Sequence, residues 1–230
     1  MDAKRIVPVL QVRAGQIAPP EGAAGEPAAW ACRLELEGAD GVLFREVGQG
    51  DQERAHWIRQ VAGSLSVPFA LEAPFQELAQ VEQALEAGVD KVVLGPAADG
   101  GRLLQAAVQA FGRTHVAVAG QAVLVDGRWR VELEDQPGQG RDALAWMVEL
   151  EQRGAGEILL RTAPETEAIG GLFQGAAGLA LSVLFLASGD EAVAAEALLH
   201  GADGVVFPAM LRTARQWKAA LAACGLSVRD

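Results

Sequence analysis

The strongest constraint on the fold of this chain is a regular alternation of short apolar runs with longer amphipathic or alanine-rich stretches. The apolar runs predict buried strands at 5–12, 41–47, 67–71, 90–95, 115–121, 156–161, 182–187 and 203–207. The stretches between them predict helices near 28–38, 51–63, 75–87, 100–111, 140–153, 167–176, 190–200 and 211–224. Strands that are apolar throughout, each followed by a helix, are typical of a parallel sheet covered by helices. Eight such units in 230 residues predict a single closed (β/α)8 TIM barrel.

Segments of the first half of the chain recur in the second half. "ALEAGVDKVVLGPAA" at 84–98 resembles "ALLHGADGVVFPAML" at 197–211. These internal repeats predict one domain over residues 1–230, built from two (β/α)4 halves at about 1–112 and 113–230. Asp126-Gly127, which stands between two short alternating runs, predicts a β-hairpin.

Composition excludes several classes of function. The chain has 30 acidic and 19 basic residues, and its net charge of −11 repels polyanions, so we expect no nucleic-acid partner. No apolar run reaches the length of a membrane span, and no basic-then-apolar signal begins the chain, so no membrane association is expected. Two cysteines far apart in the sequence predict free thiols in the cytoplasm.

The C-terminal ends of barrel strands form the mouth where barrel active sites lie. Gln11 and Gln121 end the first and fifth predicted strands, which face each other across an eight-stranded barrel. The other candidate ligand-binding residues at the mouth are Glu46, Glu72, Glu165, Ser188, Gly189 and Asp190. Acidic residues are also common in loops and helix caps, and a network of Arg45, Arg161 and Glu46 without any ligand is the alternative. The three histidines show no metal-ligand spacing and no cofactor motif is present, so we expect neither a metal nor a cofactor.

The sequence resembles the cyclase subunit of imidazole glycerol phosphate synthase, a lyase of histidine biosynthesis. The resemblance runs nearly from end to end. Its clearest pieces are "AKRIVPVLQV" at 3–12, "GADGVLF" at 38–44, "EAGVDKVVL" at 86–94, "RGAGEILL" at 153–160 and "HGADGVV" at 200–206.

The resemblance implies two catalytic aspartates, a general acid and a general base, at the ends of the first and fifth strands. This chain has Gln11 and Gln121 at those positions. An amide neither donates nor accepts a proton near neutral pH, so it cannot replace either aspartate in acid–base catalysis.

The resemblance also implies loops whose backbone N–H groups hold a substrate with two phosphates. Glu72 and Pro74 follow the third strand, Pro96 follows the fourth, and Asp190 follows the seventh. A carboxylate repels phosphate and a proline offers no N–H group. The sequence therefore predicts that the phosphate sites are degraded.

A third implication concerns the N-terminal end of the barrel, where the family receives ammonia from a glutaminase partner through a ring of charged residues. Arg5, Lys91 and Glu157 match three members of that ring, while Gly41 replaces the fourth member, which is an acid. Asp90 lies on the same face. Alternatively, these residues only balance charge beneath a barrel.

We therefore expect a cyclase-like barrel that is catalytically inactive or has diverged toward binding a small ligand or a partner. The alternative is an active cyclase that works with a glutaminase partner. A third possibility is an enzyme for an uncharged or cationic substrate, because carboxylates follow several strand ends.

Overall fold

The computed structural model describes residues 3–18, 25–48, 53–95, 102–132, 140–162, 169–187 and 189–229. Its strands are β1 (Arg5–Arg13), β2 (Gln16–Ile17), β3 (Val42–Glu46), β4 (Phe69–Glu72), β5 (Lys91–Leu94), β6 (Val116–Val125), β7 (Arg128–Glu132), β8 (Arg141–Asp142), β9 (Glu157–Thr162), β10 (Ser182–Leu186) and β11 (Gly204–Pro208). Its helices are α1 (Pro27–Leu36), α2 (Arg54–Ala62), α3 (Leu78–Glu86), α4 (Leu103–Phe111), α5 (Ala143–Gln152), α6 (Ile169–Ala176), α7 (Glu191–Leu199) and α8 (Ala214–Ala223).

Eight of these strands form a closed parallel barrel, as the sequence predicts. The order is β5-β4-β3-β1-β11-β10-β9-β6, and pairing of β5 with β6 closes the ring. The short strands β2, β7 and β8 pair in antiparallel fashion outside this ring. Asp126 and Gly127, both with positive φ, form the turn between β6 and β7, which confirms the predicted hairpin.

The barrel strands are buried on both sides, which explains why they are apolar throughout rather than alternating. Their outward side chains pack against the helices in one large cluster that includes Phe44, Trp57, Trp146 and Trp217. Their inward side chains form a second cluster in the lumen. Its buried members are Val9, Leu43, Val93, Ala117, Ala119, Leu159, Leu184 and Val206. None of the helices in the described ranges is long and apolar enough to cross a bilayer.

The recurring "GAD" and "GVD" motifs have a local structural cause. Gly38, Gly88 and Gly201 each follow a helix with positive φ, a conformation that favours glycine. Two residues later, an aspartate accepts a hydrogen bond from a backbone N–H on a neighbouring strand. The pairs are Asp40 with Ile6, Asp90 with Phe69 and Asp203 with Val183, at 2.8 to 2.9 Å. The motif thus joins the end of each helix to the strand that precedes that helix in the chain. The division of the chain into two halves stays a prediction.

Candidate functional site at the two ends of the barrel

Strand alternation decides which side chains face the C-terminal mouth. Because Val9, Leu43, Ala119 and Leu159 belong to the lumen cluster, the residues two positions further along each strand share their inward face. These residues are Gln11, Arg45, Gln121 and Arg161. In register, Gln11 lies beside Arg45 and Gln121 lies beside Arg161. The two glutamines are therefore on inward positions of opposite barrel strands.

A carboxylate between two guanidinium groups occupies the same level of the lumen. Arg45 Nε donates to Glu72 Oε2 at 2.8 Å, and Arg161 Nη2 donates to Glu72 Oε1. We call Arg45, Glu72 and Arg161 the mouth triad. Its members come from β3, β4 and β9, so the triad reaches across the lumen. Both oxygens of Glu72 are engaged, and the triad has a net charge of +1.

The mouth triad leaves two donors without acceptors. Arg45 Nη2 and Arg161 Nε are buried and have no hydrogen-bond partner among the residues that the structure describes. A buried donor without an acceptor costs about 1–3 kcal/mol. Within the described residues, the mouth triad therefore has more donors than acceptors, which disfavours a cation beside it.

Glu46 does not face the mouth, contrary to the expectation from sequence. It follows Arg45 on β3 and therefore projects toward the helices, where its buried Oε2 accepts from Arg54 Nε of α2 at 2.7 Å. The sequence located the strand end correctly but did not resolve which side of the strand Glu46 occupies. The same alternation rule that places Arg45 inward would have placed Glu46 outward.

The remaining mouth candidates divide into two groups. Asp190 caps α7, with Oδ1 accepting from the backbone N–H groups of Ala192 and Val193 at 2.9 and 3.3 Å. Gly189 precedes it with a φ of 114°. Glu165 and Ser188 lie outside the described residues. Asp190 thus has a helix-capping role of the kind that the sequence left open for such carboxylates.

The N-terminal end of the lumen holds a second set of three charged residues. Glu157 Oε2 lies 2.7 Å from Arg5 Nη2 and 3.0 Å from Lys91 Nζ. Arg5 Nη2 also donates to Ser182 Oγ at 2.6 Å. We call Arg5, Glu157 and Lys91 the base triad. The structure therefore brings together the three residues that the resemblance assigned to a ring.

Asp90 is not part of the base triad. Its Oδ2 accepts from Phe69 N at 2.9 Å, so its carboxylate links β4 to the start of β5. His115 also contacts this residue, through Nδ1 and the carbonyl oxygen of Asp90 at 2.7 Å.

A cavity of about 340 Å³ opens beside the base triad and extends into the lumen. Its walls include Val7, Leu43, Ala70 and Val93, and its rim includes Gly41. Sequence reasoning did not predict this cavity, although two small residues were a signal for it: Gly41, just before β3, and Ala70, on the adjacent strand β4.

No group of three His, Cys, Asp or Glu side chains suited to a metal ion occurs among the described residues. Cys32 and Cys224 are free thiols, as the sequence predicts.

The geometry defines the class of protein as a (β/α)8 barrel with charged groups at both ends of its lumen. A sequence model of the family described as "Histidine biosynthesis protein" matches residues 5–165. The imidazole glycerol phosphate synthase subunit HisF of Flavobacterium psychrophilum is 31% identical over 171 residues, which cover 69% of this chain and 67% of that protein. The chain therefore belongs to the histidine biosynthesis protein family, in which it is a divergent HisF-like member.

Proposed function

We propose that this chain is a histidine biosynthesis barrel that no longer catalyses ring closure and has diverged toward binding a small ligand or a partner subunit. The family match covers both Gln11 and Gln121, the two positions at which the cyclase resemblance requires aspartates. Loss of one general acid or base typically lowers the rate by about 10²–10⁴-fold.

The observation that carries this proposal is the composition of the inward layer at the mouth. On the described strands, this layer contains two amides and the mouth triad, whose one carboxylate accepts from a guanidinium at each oxygen. A general base needs a lone pair directed at the substrate proton. Each oxygen of Glu72 already accepts from one guanidinium, so only its remaining lone pairs could receive that proton.

The charge of the mouth also bears on what it can bind. The mouth triad has one positive charge in excess, and two guanidinium N–H groups have no acceptor in the described part of the chain. These features disfavour the cationic substrate that the sequence left open. They favour a ligand rich in hydrogen-bond acceptors.

The alternative function is an active cyclase that receives ammonia from a glutaminase partner in the cytoplasm. The observation in its favour is the base triad, because Arg5, Lys91 and Glu157 remain in contact at the face where the resemblance places that partner. The name of the Flavobacterium relative describes it as a synthase subunit, which is consistent with a partner.

The test is an assay of imidazole glycerol phosphate formation by the purified chain with ammonia, alongside an intact cyclase subunit as positive control. We expect no turnover above background. The double variant Gln11→Asp/Gln121→Asp should also stay inactive, because the phosphate loops are changed as well. A thermal melt checks that both proteins are folded.

Complementation of a histidine auxotroph that lacks the cyclase provides an independent readout. Growth, or ammonia-supported turnover, would overturn the proposal. Turnover that appears only after addition of a glutaminase subunit would establish the alternative function.

A further inference from the structure

The lumen of this barrel is incompletely filled at its N-terminal end. Barrel interiors of this fold are normally packed with layers of bulky branched side chains. Here the small residues Gly41 and Ala70 hold inward positions near the N-terminal end, and both line a cavity. This cavity of about 340 Å³ lies within the usual size range of small-molecule sites.

At the rim of the cavity, Gly41 occupies a position that a larger residue could not take without a backbone shift. A Cβ atom at Gly41 would lie 2.9 Å from the carbonyl oxygen of Pro68, so a larger residue there requires the backbone to shift. Gly41 and Pro68 immediately precede β3 and β4, the two strands between β1 of Arg5 and β5 of Lys91 in the barrel order. Gly41 and Pro68 themselves contribute no polar side chain to the rim of the cavity.

The walls and the rim differ in polarity. The deep walls come from the lumen cluster and its neighbours and are aliphatic, with Val7, Leu43, Ala70, Val93, Leu159 and Leu184 as lining residues. The base triad provides the polar groups at the rim. A complementary ligand has an aliphatic body and one polar head group.

The charges at the rim select the sign of that head group. Arg5, Lys91 and Arg229 line the cavity together with three carboxylates, Glu157, Asp40 and Asp90. Asp40 is ion-paired with Lys218 at 2.8 Å. Among the described residues that line the cavity, the three cations Arg5, Lys91 and Arg229 then stand against two carboxylates, Glu157 and Asp90.

Asp40 and Asp90 also accept hydrogen bonds from the backbone N–H groups of Ile6 and Phe69, respectively, and these bonds hold both carboxylates at the strand ends. Arg5 and Lys91 converge on a single oxygen of Glu157. The ammonium group of Lys91 has three N–H donors, and one carboxylate oxygen cannot accept all of them.

We propose that the cavity at the N-terminal end of the lumen binds a small aliphatic monocarboxylate, with its carboxylate at Lys91 and Arg5 and its alkyl chain against Val7, Ala70 and Val93. This inference rests on the proposed binding role and assigns it a position and a ligand chemistry. The ligand lies at the opposite end of the barrel from Gln11 and Gln121.

The experiment is a titration of the full chain with sodium hexanoate, followed by calorimetry and by amide chemical shifts in NMR spectra. We expect saturable one-to-one binding, with the largest shifts at Val7, Ala70 and Val93. Hexanol, which has the same body without the charge, should bind more weakly by roughly 10- to 100-fold, the usual value of a charged hydrogen bond.

Two variants test the two halves of the site. Lys91→Gln should weaken hexanoate binding by a similar factor, and Glu157 keeps Arg5 as a partner in that variant. Ala70→Leu should abolish binding because the added methyl groups occupy the cavity. Arg33→Gln is the matched control, because Arg33 is an exposed cation on α1 paired with Glu37, and it should bind like the unmodified chain.

The outcomes separate this inference from the proposed function. Absence of saturable hexanoate binding, equal binding of hexanol, or unchanged binding by folded Lys91→Gln would each overturn the inference and leave the loss of ring closure untouched. Cyclase turnover by the purified chain would overturn the proposed function without affecting the titration.

Discussion

The two ends of the lumen each hold one carboxylate between two cations, yet their surroundings differ. At the mouth, Glu72 gives one oxygen to Arg45 and the other to Arg161. At the N-terminal end, Arg5 and Lys91 share one oxygen of Glu157, and a cavity lies beside them. Strand β9 contributes to both triads, through Glu157 and Arg161.

The difference lies in the side chains that fill each end of the lumen among the described residues. Ligands of this fold bind at the C-terminal ends of the strands. In this chain, the inward layer at that end contains two arginines, two glutamines and a glutamate. The inward layer near the other end contains glycine and alanine, so the described cavity opens there.

The largest expected effect comes from removing the carboxylate of the mouth triad. Glu72→Leu leaves two guanidinium groups close together and without their shared partner, and we expect the free energy of unfolding to fall by about 3 kcal/mol. Urea denaturation at neutral pH measures this change. The triple variant Arg45→Met/Glu72→Leu/Arg161→Met removes all three charges and should lie within about 1 kcal/mol of the unmodified chain. If Glu72→Leu alone were as stable as the unmodified chain, the mouth triad would not form in solution.

Two alanine positions in the lumen test whether the space at the N-terminal end is real. Ala119 is fully buried nearer the mouth and does not line the cavity, so Ala119→Leu should lower the free energy of unfolding by about 1–3 kcal/mol through overpacking. Ala70 lines the cavity, so Ala70→Leu should change the free energy by less than about 1 kcal/mol. Equal destabilisation of the two variants in urea titrations would contradict the comparison between the ends.

Two glycines extend the same comparison to the backbone. A Cβ at Gly41 meets the carbonyl oxygen of Pro68, so Gly41→Ala should cost about 1 kcal/mol. At Gly95, which follows β5 toward the mouth, no atom lies within 4 Å of an added Cβ. Gly95→Ala should therefore raise the free energy of unfolding by roughly 0.5 kcal/mol, because it restricts the unfolded chain. Denaturant midpoints of the two variants on opposite sides of the parent value are the expected result.

The smallest effect concerns Glu149 on α5, an ion-paired carboxylate outside both ends of the lumen. Its pKa is lowered from the ordinary 4.5, chiefly by the hydrogen bond from Arg141, with Arg153 contributing as well. The ionised Glu149 therefore stabilises the fold through these two arginines above pH 4.5, and this contribution is lost as the pH falls through the lowered pKa.

Because Glu149 is partly solvent-exposed, Glu149→Gln should cost less than about 1 kcal/mol at neutral pH. Urea titrations at neutral pH and well below pH 4.5 should show the difference between the variant and its parent disappearing in acid. A difference that grows in acid would rule out the ion pair as its source.

Local patterns in the sequence predicted most of the fold. The eight barrel strands were predicted within about two residues of their observed starts, because runs of buried residues and helix-ending glycines such as Gly88 and Gly201 are local signals. The hairpin at Asp126-Gly127 was predicted for the same reason. Glu46 was misplaced because its position at a strand end was read without the alternation that turns it toward α2.

The sequence by itself determined the order of strands and helices, the family, and the presence of glutamine at positions 11 and 121, since all of these are properties of neighbouring residues or of aligned residues. Only the tertiary structure decided that Glu72 pairs with Arg161, 89 residues away, and that a cavity opens next to Glu157. These features depend on how far neighbouring strands shift as the barrel closes. That shift is set by pairing between strands distant in sequence, which no local pattern encodes.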